Sequence, residues 1–278
     1  MPLTDEIRAA CAAVAGRARS VRIREDAVEA YAATLPAESP PAPDLAPGEP
    51  DERRAAFQIT LNAINFGSGW FPTLRKQPGM SGFRTVEAGL RARGPWGAEE
   101  LAAISRDEVA ATVGGQDPGH ELMGLFETAL RELGAKVRDG HGGSFLALAQ
   151  SAGSVEGLAT ELASWPTWAD VSPYEELRVP FFKRAQIAAA DLALSGLAPG
   201  DDLGRLTLFA DNLVPHVLRL DGVLEFDDAL VTRIDAEELI EHDSPEEVEI
   251  RACALHAVEL LVAAHPEPTT ATAVDNHL

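Results

Sequence analysis

The chain has 278 residues, 46% hydrophobic and 24% charged, enough apolar mass for a folded core in one large domain or two small ones. Its 44 acidic residues against 23 basic ones leave a formal charge of −21, which argues against a nucleic-acid partner but still permits a small anionic ligand in a local basic pocket. No apolar run is long enough for a membrane span, the start lacks the apolar centre of a secretory signal, and two distant cysteines, Cys11 and Cys253, do not make a disulfide framework or a cysteine zinc site, so a cytoplasmic protein is expected.

Residues 4–16 and 25–35 carry alanine-rich apolar spacing near 3.6 and predict helices. The stretch 36–51 contains six prolines and predicts an extended surface loop or linker. It separates an N-terminal part, 1–51, from a helical domain, 52–278, unless the whole chain forms one continuous unit. Residues 52–66 predict a helix with Phe57, Leu61 and Ile64 on one stripe. Glycine and proline punctuate 67–83, a loop that carries aromatic residues. Helices follow at 84–93 and 98–104. At 105–114 a further helix opens with Ser105 and, three residues on, Glu108, the pattern of a capping box. A strong amphipathic helix spans 119–137. Three glycines in 139–145 break it, and helix resumes over 145–164 with an interruption at Gly153. Helical periods recur at 179–197, 202–224, 227–240 and 244–265. Alternating strand patterns are scarce. The predicted fold class is mainly α, a multi-helix protein with at most a few short strands.

Several residues stand out against this background. Lys183, Ile187 and Asp191 fall on one helical sector, with Arg184 at its edge and apolar neighbours around them. Charges in so apolar a helix are costly unless paired or used. A plain alternative is a cation at a helix start and a surface aspartate. Asp211 lies among Leu206, Phe209, Leu213, Val214 and Val217, and Pro215 denies its carbonyl the usual helical partner. Either it walls a site, or it is a helix-start aspartate on a solvated face. In the helix 244–265, Glu247 and Arg251 form an i,i+4 pair, and Glu249 shares a face with His256, which reads as a half-buried histidine rather than a metal ligand. Phe66, Trp70 and Phe71 surround a glycine loop that either stacks on a flat ligand or plugs into the core. The segment "GHGGSF" carries the same pair of readings. No metal-binding motif and no nucleotide-loop fingerprint is present, so no metal and no cofactor are expected.

Taken together, "INFGSGWF", "GGSF", "FFKRAQIAAAD", "LFADNLVP" and "EVEIRACALHAVEL" resemble, in order and rough spacing, the queuosine salvage proteins, the queuosine 5′-phosphate N-glycosylases/hydrolases. The K-R-A-Q-I-x-x-A-D and E-V-E-I-R blocks are the specific parts, and the likeness runs from about residue 20 onward. The resemblance implies a largely helical architecture akin to DNA glycosylases. It implies release of queuine base from queuosine 5′-monophosphate, for reuse in transfer-RNA modification. It places the catalytic carboxylate on Asp211 and a site-lining lysine on Lys183. It also implies a substrate-binding set: Phe66 or Trp70 to stack on the base, Asp191 or Glu249 for its donor edge, and Lys183 or Arg184 for the phosphate. Alternatively, Lys183 hydrogen-bonds and orients Asp211. Asn212, His216 and Arg251 belong to the same set. Asn212 and Leu213 stand where many members have an aromatic residue and an arginine, and His216 stands where a glutamine is usual. The chain also stops at "VDNHL", where relatives continue with a tryptophan-containing tail.

The expected partner is therefore a small nucleotide, with no nucleic acid and no membrane, and no pattern specifies an oligomeric state. The leading expectation is a metal-independent N-glycosidase acting on queuosine 5′-monophosphate or a related 7-deazaguanosine nucleotide. The alternatives are a non-catalytic nucleotide- or base-binding protein of the same fold and a helical scaffold with Asp211 on a solvated face.

Overall fold

The computed structural model describes residues 1–39 and 48–278. Half of the proline-rich loop expected over 36–51, residues 40–47, lies outside the described residues, and Asp51 already begins a helix. The fold is mainly α, and four short strands form two two-stranded antiparallel sheets. The chain divides into two units: Met1–Pro41, Asp170–Gln186 and Asp201–Leu278 form the first, and Ala42–Ala169 with Ile187–Gly200 form the second. Neither is one continuous stretch, so the units are interleaved rather than divided once along the chain. Among the described residues, no helix is long and apolar enough to cross a membrane.

The first unit is organised around the helix Pro245–Ala264, against which the helices Leu3–Ala15, Glu25–Ala32, Leu213–Leu220 and Ala271–Asp275 pack. This central helix is apolar nearly all round: Val248, Ala252, Cys253, Ala254, Leu255, Ala257, Val258 and Leu261 are all fully buried in one core with Ile7, Cys11 and Val14. A helix buried on every side has neighbours on every side, so it shows no single apolar stripe. Both cysteines are free, and burial pushes the thiols up, Cys253 to about 12, which keeps them protonated and inert. The strand Val21–Ile23 pairs with Leu224–Phe226, and Val171–Tyr174 pairs with Leu177–Pro180 as a tight hairpin.

The second unit has the helix Glu121–His141 as its axis, packed by Asp51–Ala63, Ala98–Ala103, Arg106–Thr112 and Phe145–Ser151. Gly134 permits the closest of these approaches, because a Cβ there would lie 2.2 Å from the amide nitrogen of Ala102. The capping box at Ser105 and Glu108 forms in both directions. The "GHGGSF" segment is a helix stop followed by a helix start. Gly142 ends one helix at φ +60°, and Ser144 caps the next. The amides that an anion would need there are already taken. Glu52 accepts from Phe145 N and Leu146 N at 2.8 and 3.0 Å, and from the Ser144 hydroxyl at 2.7 Å.

Two expectations about helix extent are corrected. The periodic run 179–197 begins as the strand Leu177–Pro180 and becomes helical only at Lys183, ending at Leu194. The run 202–224 is a short 3-10 turn, Leu203–Arg205, then irregular chain over 206–210 with a tight turn in which Ala210 N donates to Leu208 O at 2.9 Å, then the helix Leu213–Leu220 and the strand Leu224–Phe226. Residues 206–210 are all buried, so the run lacks the polar alternation that marks a half-exposed strand.

Candidate functional site

Within the first unit, Lys183 and Asp211 meet. The Lys183 ammonium lies 3.1 Å from Asp211 Oδ2, and their side chains are 16% and 32% exposed. Each sits at a helix start. Lys183 is the first residue of Lys183–Leu194, and Asp211 precedes Leu213–Leu220, where its Oδ1 accepts from Leu213 N at 2.8 Å. This corrects the expectation of an aspartate inside a helix with a carbonyl freed by Pro215. Pro215 lies in the first turn, where no preceding helical carbonyl awaits its missing N–H. The plainer alternative of a helix-start aspartate describes the backbone, but the lysine partner takes the carboxylate beyond a solvated cap.

The geometry of the pair is held from behind. Gln186, fully buried on the Lys183 helix, treats residue 207 as a strand partner would. Its Oε1 accepts from Thr207 N at 2.9 Å, and its Nε2 donates to Phe181 O and Thr207 Oγ1, each at 3.0 Å. That ties the segment leading to Asp211 against the helix bearing Lys183. Arg251 adds the second tie. Its Nε donates to the carbonyl of Ala210 at 3.1 Å, and its Nη2 donates to both oxygens of Asp170 at 2.9 and 2.7 Å. Asp170 Oδ2 in turn accepts from Lys183 N at 3.1 Å. One guanidinium thus anchors the residue before Asp211 and, through Asp170, the backbone of Lys183. It lies 3.9 Å from the centre of the Phe181 ring and reaches Glu247 Oε1 at 3.2 Å.

Burial pushes the Asp170 carboxyl up, but Arg251 outweighs it and holds the group below the usual carboxylate range. Burial works against the Arg251 charge, and Asp170 and Glu247 more than restore it. Phe182, just before Lys183, has φ +47°, a left-handed conformation that costs a bulky residue about 1–2 kcal/mol. Burial, then the Asp211 charge, push Asp275 up to about 7, while the Phe209 amide and Lys183 pull the other way.

The other residues singled out in the sequence fall in both units. In the first unit, Arg184 is partly buried next to Lys183, Asn212 is the exposed residue before the helix Leu213–Leu220, and His216 is exposed within that helix. Glu249 is 2% exposed, and its oxygens are occupied. Oε2 accepts from Arg19 N, Ser20 N and Val21 N at 2.9, 2.7 and 3.2 Å, and Oε1 from the Tyr174 hydroxyl at 2.7 Å. It is a structural tie between the first strand and the hairpin, with no oxygen left for a base edge. Arg251 likewise has its fork committed to protein groups rather than to a ligand. His256 is partly buried, and burial lowers its pKa.

Phe66, Trp70 and Asp191 belong to the second unit. Phe66 meets Phe126 edge-on with ring centroids 5.2 Å apart. Trp70 packs over Gly67, whose φ is +87° and whose added Cβ would lie 2.5 Å from Leu122. Asp191 accepts from Asn62 Nδ2 at 2.8 Å, and burial raises its carboxyl to about 6. Among the described residues, His242, Asp243 and Glu247 bring ligand-type atoms within 4.8 Å of one another. Glu247 is shared with the Arg251 guanidinium, whose charge repels a cation, and the other two are exposed.

Asp170, Gln186 and Asp275 were not found from sequence. Gln186 lies inside the K-R-A-Q block, which could have flagged it. Asp170 and Asp275 lie in short segments without a pattern and become part of the site only through long-range contacts.

A model of the queuosine salvage protein family matches residues 45–276. A queuosine 5′-phosphate N-glycosylase/hydrolase of Sphaerobacter thermophilus is 34% identical over 268 residues, covering 89% of this chain and 82% of that protein. Proteins of the same description from Mus musculus and Bos taurus are 31% and 36% identical over 59% of this chain, and the matches span 48% and 50% of their lengths.

Proposed function

The chain belongs to the queuosine salvage protein family, and on that premise we propose that it hydrolyses the N-glycosidic bond of queuosine 5′-monophosphate, or of a related 7-deazaguanosine nucleotide, and releases the free base. It is an enzyme, an N-glycosidase. The observation that carries the reading is the Lys183–Asp211 pair at 3.1 Å, fixed from behind by Gln186 and Arg251.

Breaking the bond builds positive charge on C1′ and the ring oxygen. The Asp211 carboxylate stabilises that charge and takes a proton from the attacking water. Lys183 orients Asp211 through their 3.1 Å contact. Lys183 or its chain neighbour Arg184 meets the 5′-phosphate. A 7-deazapurine has no N7 to protonate, so the departing base needs its negative charge relieved at another atom. Asn212 and His216, both exposed, stand where aromatic, arginine and glutamine residues are more usual, and we assign them to contacts with the nucleotide. They are the positions where base preference is set.

The test is incubation of the purified protein, with EDTA present, with queuosine 5′-monophosphate and with guanosine and 7-deazaguanosine 5′-monophosphates, followed by mass spectrometry for free base. Release of queuine is expected. Release from another nucleotide alone moves the substrate and keeps the chemistry, and recovery of every nucleotide intact overturns the reading in favour of a binding protein.

A further inference from the structure

The segment that leads to Asp211 does not hold its own path. Residues 206–210 are buried but irregular, with a tight turn from Ala210 N to Leu208 O at 2.9 Å in place of a helix or sheet ladder. Its other backbone groups need partners from outside. Gln186 takes Thr207, and Arg251 takes the carbonyl of Ala210. Both act on the part of the segment nearer to Asp211, and its upstream end is gripped by a residue from the N-terminal helix.

That helix, Leu3–Ala15, buries Thr4, Ile7, Cys11 and Val14. Arg8 follows Thr4 by four residues and precedes Cys11 by three, so its side chain leaves the helix at the border of the buried face. Its Nη2 donates to the carbonyl of Arg205 at 2.8 Å and reaches that of Leu206 at 3.4 Å. The Arg205 carbonyl ends the Leu203–Arg205 turn, where the helical ladder supplies no amide to it. Arg8 Nε lies 2.9 Å from Glu259 Oε2 on Pro245–Ala264, the helix that also carries Arg251. The two side chains are 29% and 22% exposed, so this guanidinium is more enclosed than those of the ordinary surface pairs. One fork thus joins the N-terminal helix, the central helix and the start of the Asp211 segment.

We propose that Arg8 is a positioning residue for Asp211. The proposal rests on the N-glycosidase reading above. Arg8 fixes the segment at Arg205 and Leu206, Gln186 fixes it at Thr207, and Arg251 fixes the residue before Asp211. The N-terminal helix is then part of the catalytic unit and more than a buttress for the core. Releasing the upstream grip lets the Asp211 carboxylate drift from its place opposite C1′, and a misplacement of about 1 Å is enough to cost on the order of 100-fold in rate.

The experiment has two arms on the full chain, R8K and R8M/E259Q. Lysine keeps a charge opposite Glu259 but lacks the fork that also spans the carbonyls. The double variant removes both charges, so no enclosed carboxylate is left without its partner and the fold is kept. In the first arm, amide exchange is followed by NMR without substrate. Protection at Thr207 and Ala210 is expected to fall about 10-fold, with Ala252 and Leu255 in the central helix much less affected. Unchanged protection at Thr207 and Ala210, or an equal fall at all four, overturns the proposal. In the second arm, base release is measured against substrate concentration. Both variants are expected to lose about 10-fold in kcat, with KM within about 2-fold of the parent. An unchanged kcat overturns the positioning role, including when KM rises, because that pattern would put Arg8 at the ligand and not behind Asp211. A parent protein that releases no base overturns the N-glycosidase reading, and the exchange arm then decides the grip on the segment by itself.

Discussion

Asp211 receives its position from groups that touch no solvent-facing part of the site. Replacing Asp211 by Asn keeps the Leu213 amide contact and removes the charge. Base release should fall by about 1,000-fold or more while the melting temperature stays within a few degrees of the parent. Activity in a folded D211N would remove Asp211 from the chemistry. Arg251 is a different case, because it acts through Ala210 and Asp170. Arg251→Lys keeps a charge but not the fork that spans both partners. We expect kcat to fall at least 10-fold, with KM less affected, and stability to drop by about 2–4 kcal/mol because Asp170 is left poorly paired. An R251K protein with lowered stability and an unchanged kcat would make Arg251 purely structural. Lys183 and Asp211 were legible in the sequence because motif blocks mark them. Glu249 and Arg251 were legible as unusual residues but not by role, because only the fold shows which groups occupy their atoms.

At the scale of elements, short polar signals were read well and buried runs were not. Ser105 with Glu108, and the glycines before Ser144, mark helix ends by local chemistry that needs no distant partner. The apolar spacing over 206–210 fits a helical period, but the segment is wholly buried irregular chain, and a buried apolar run does not reveal its conformation by periodicity. Gln186, from another element, fixes it at Thr207. The same reasoning locates two stability predictions in the second unit. Glu52→Ala frees two amides and a hydroxyl at the start of Phe145–Ser151, and denaturant melts should show a loss of about 1–3 kcal/mol. Gly67→Ala forces a side chain into a left-handed position 2.5 Å from Leu122, and should cost at least about 1 kcal/mol. An unchanged midpoint in either variant would show that the contact contributes nothing net.

For the whole molecule, charge sets the response to solution conditions. A formal charge of −21 is repulsive on balance, so the melting temperature should rise as sodium chloride increases from low to physiological ionic strength. A flat response would mean that the surface ion pairs, which salt weakens, offset the repulsion. Asp191 makes stability depend on pH with a definite sign. Its carboxyl titrates near 6 in the fold against 3.8 in the open chain, so the folded state binds its proton more tightly. Its contribution is present when the group is protonated and is lost as pH rises from about 4 through about 6. Asp191→Asn should therefore stabilise by about 1–2 kcal/mol at pH 7.5 and by little at pH 4, provided the Asn62 contact is kept. Equal effects at both pH values would show that ionisation of Asp191 plays no part.

Composition, helical periodicity and the motif blocks sufficed for the mainly α class, the family and the Lys183 and Asp211 candidates. These are properties of nearest neighbours along the chain and of residue order. The interleaving of the units, the irregular buried segment before Asp211, the tie of Gln186 to Thr207 and the Arg251–Asp170 tie were decided only in three dimensions. Each depends on residues tens to more than a hundred positions apart being brought together by burial of the core, and no local pattern records which distant carboxylate, amide or guanidinium a side chain will meet.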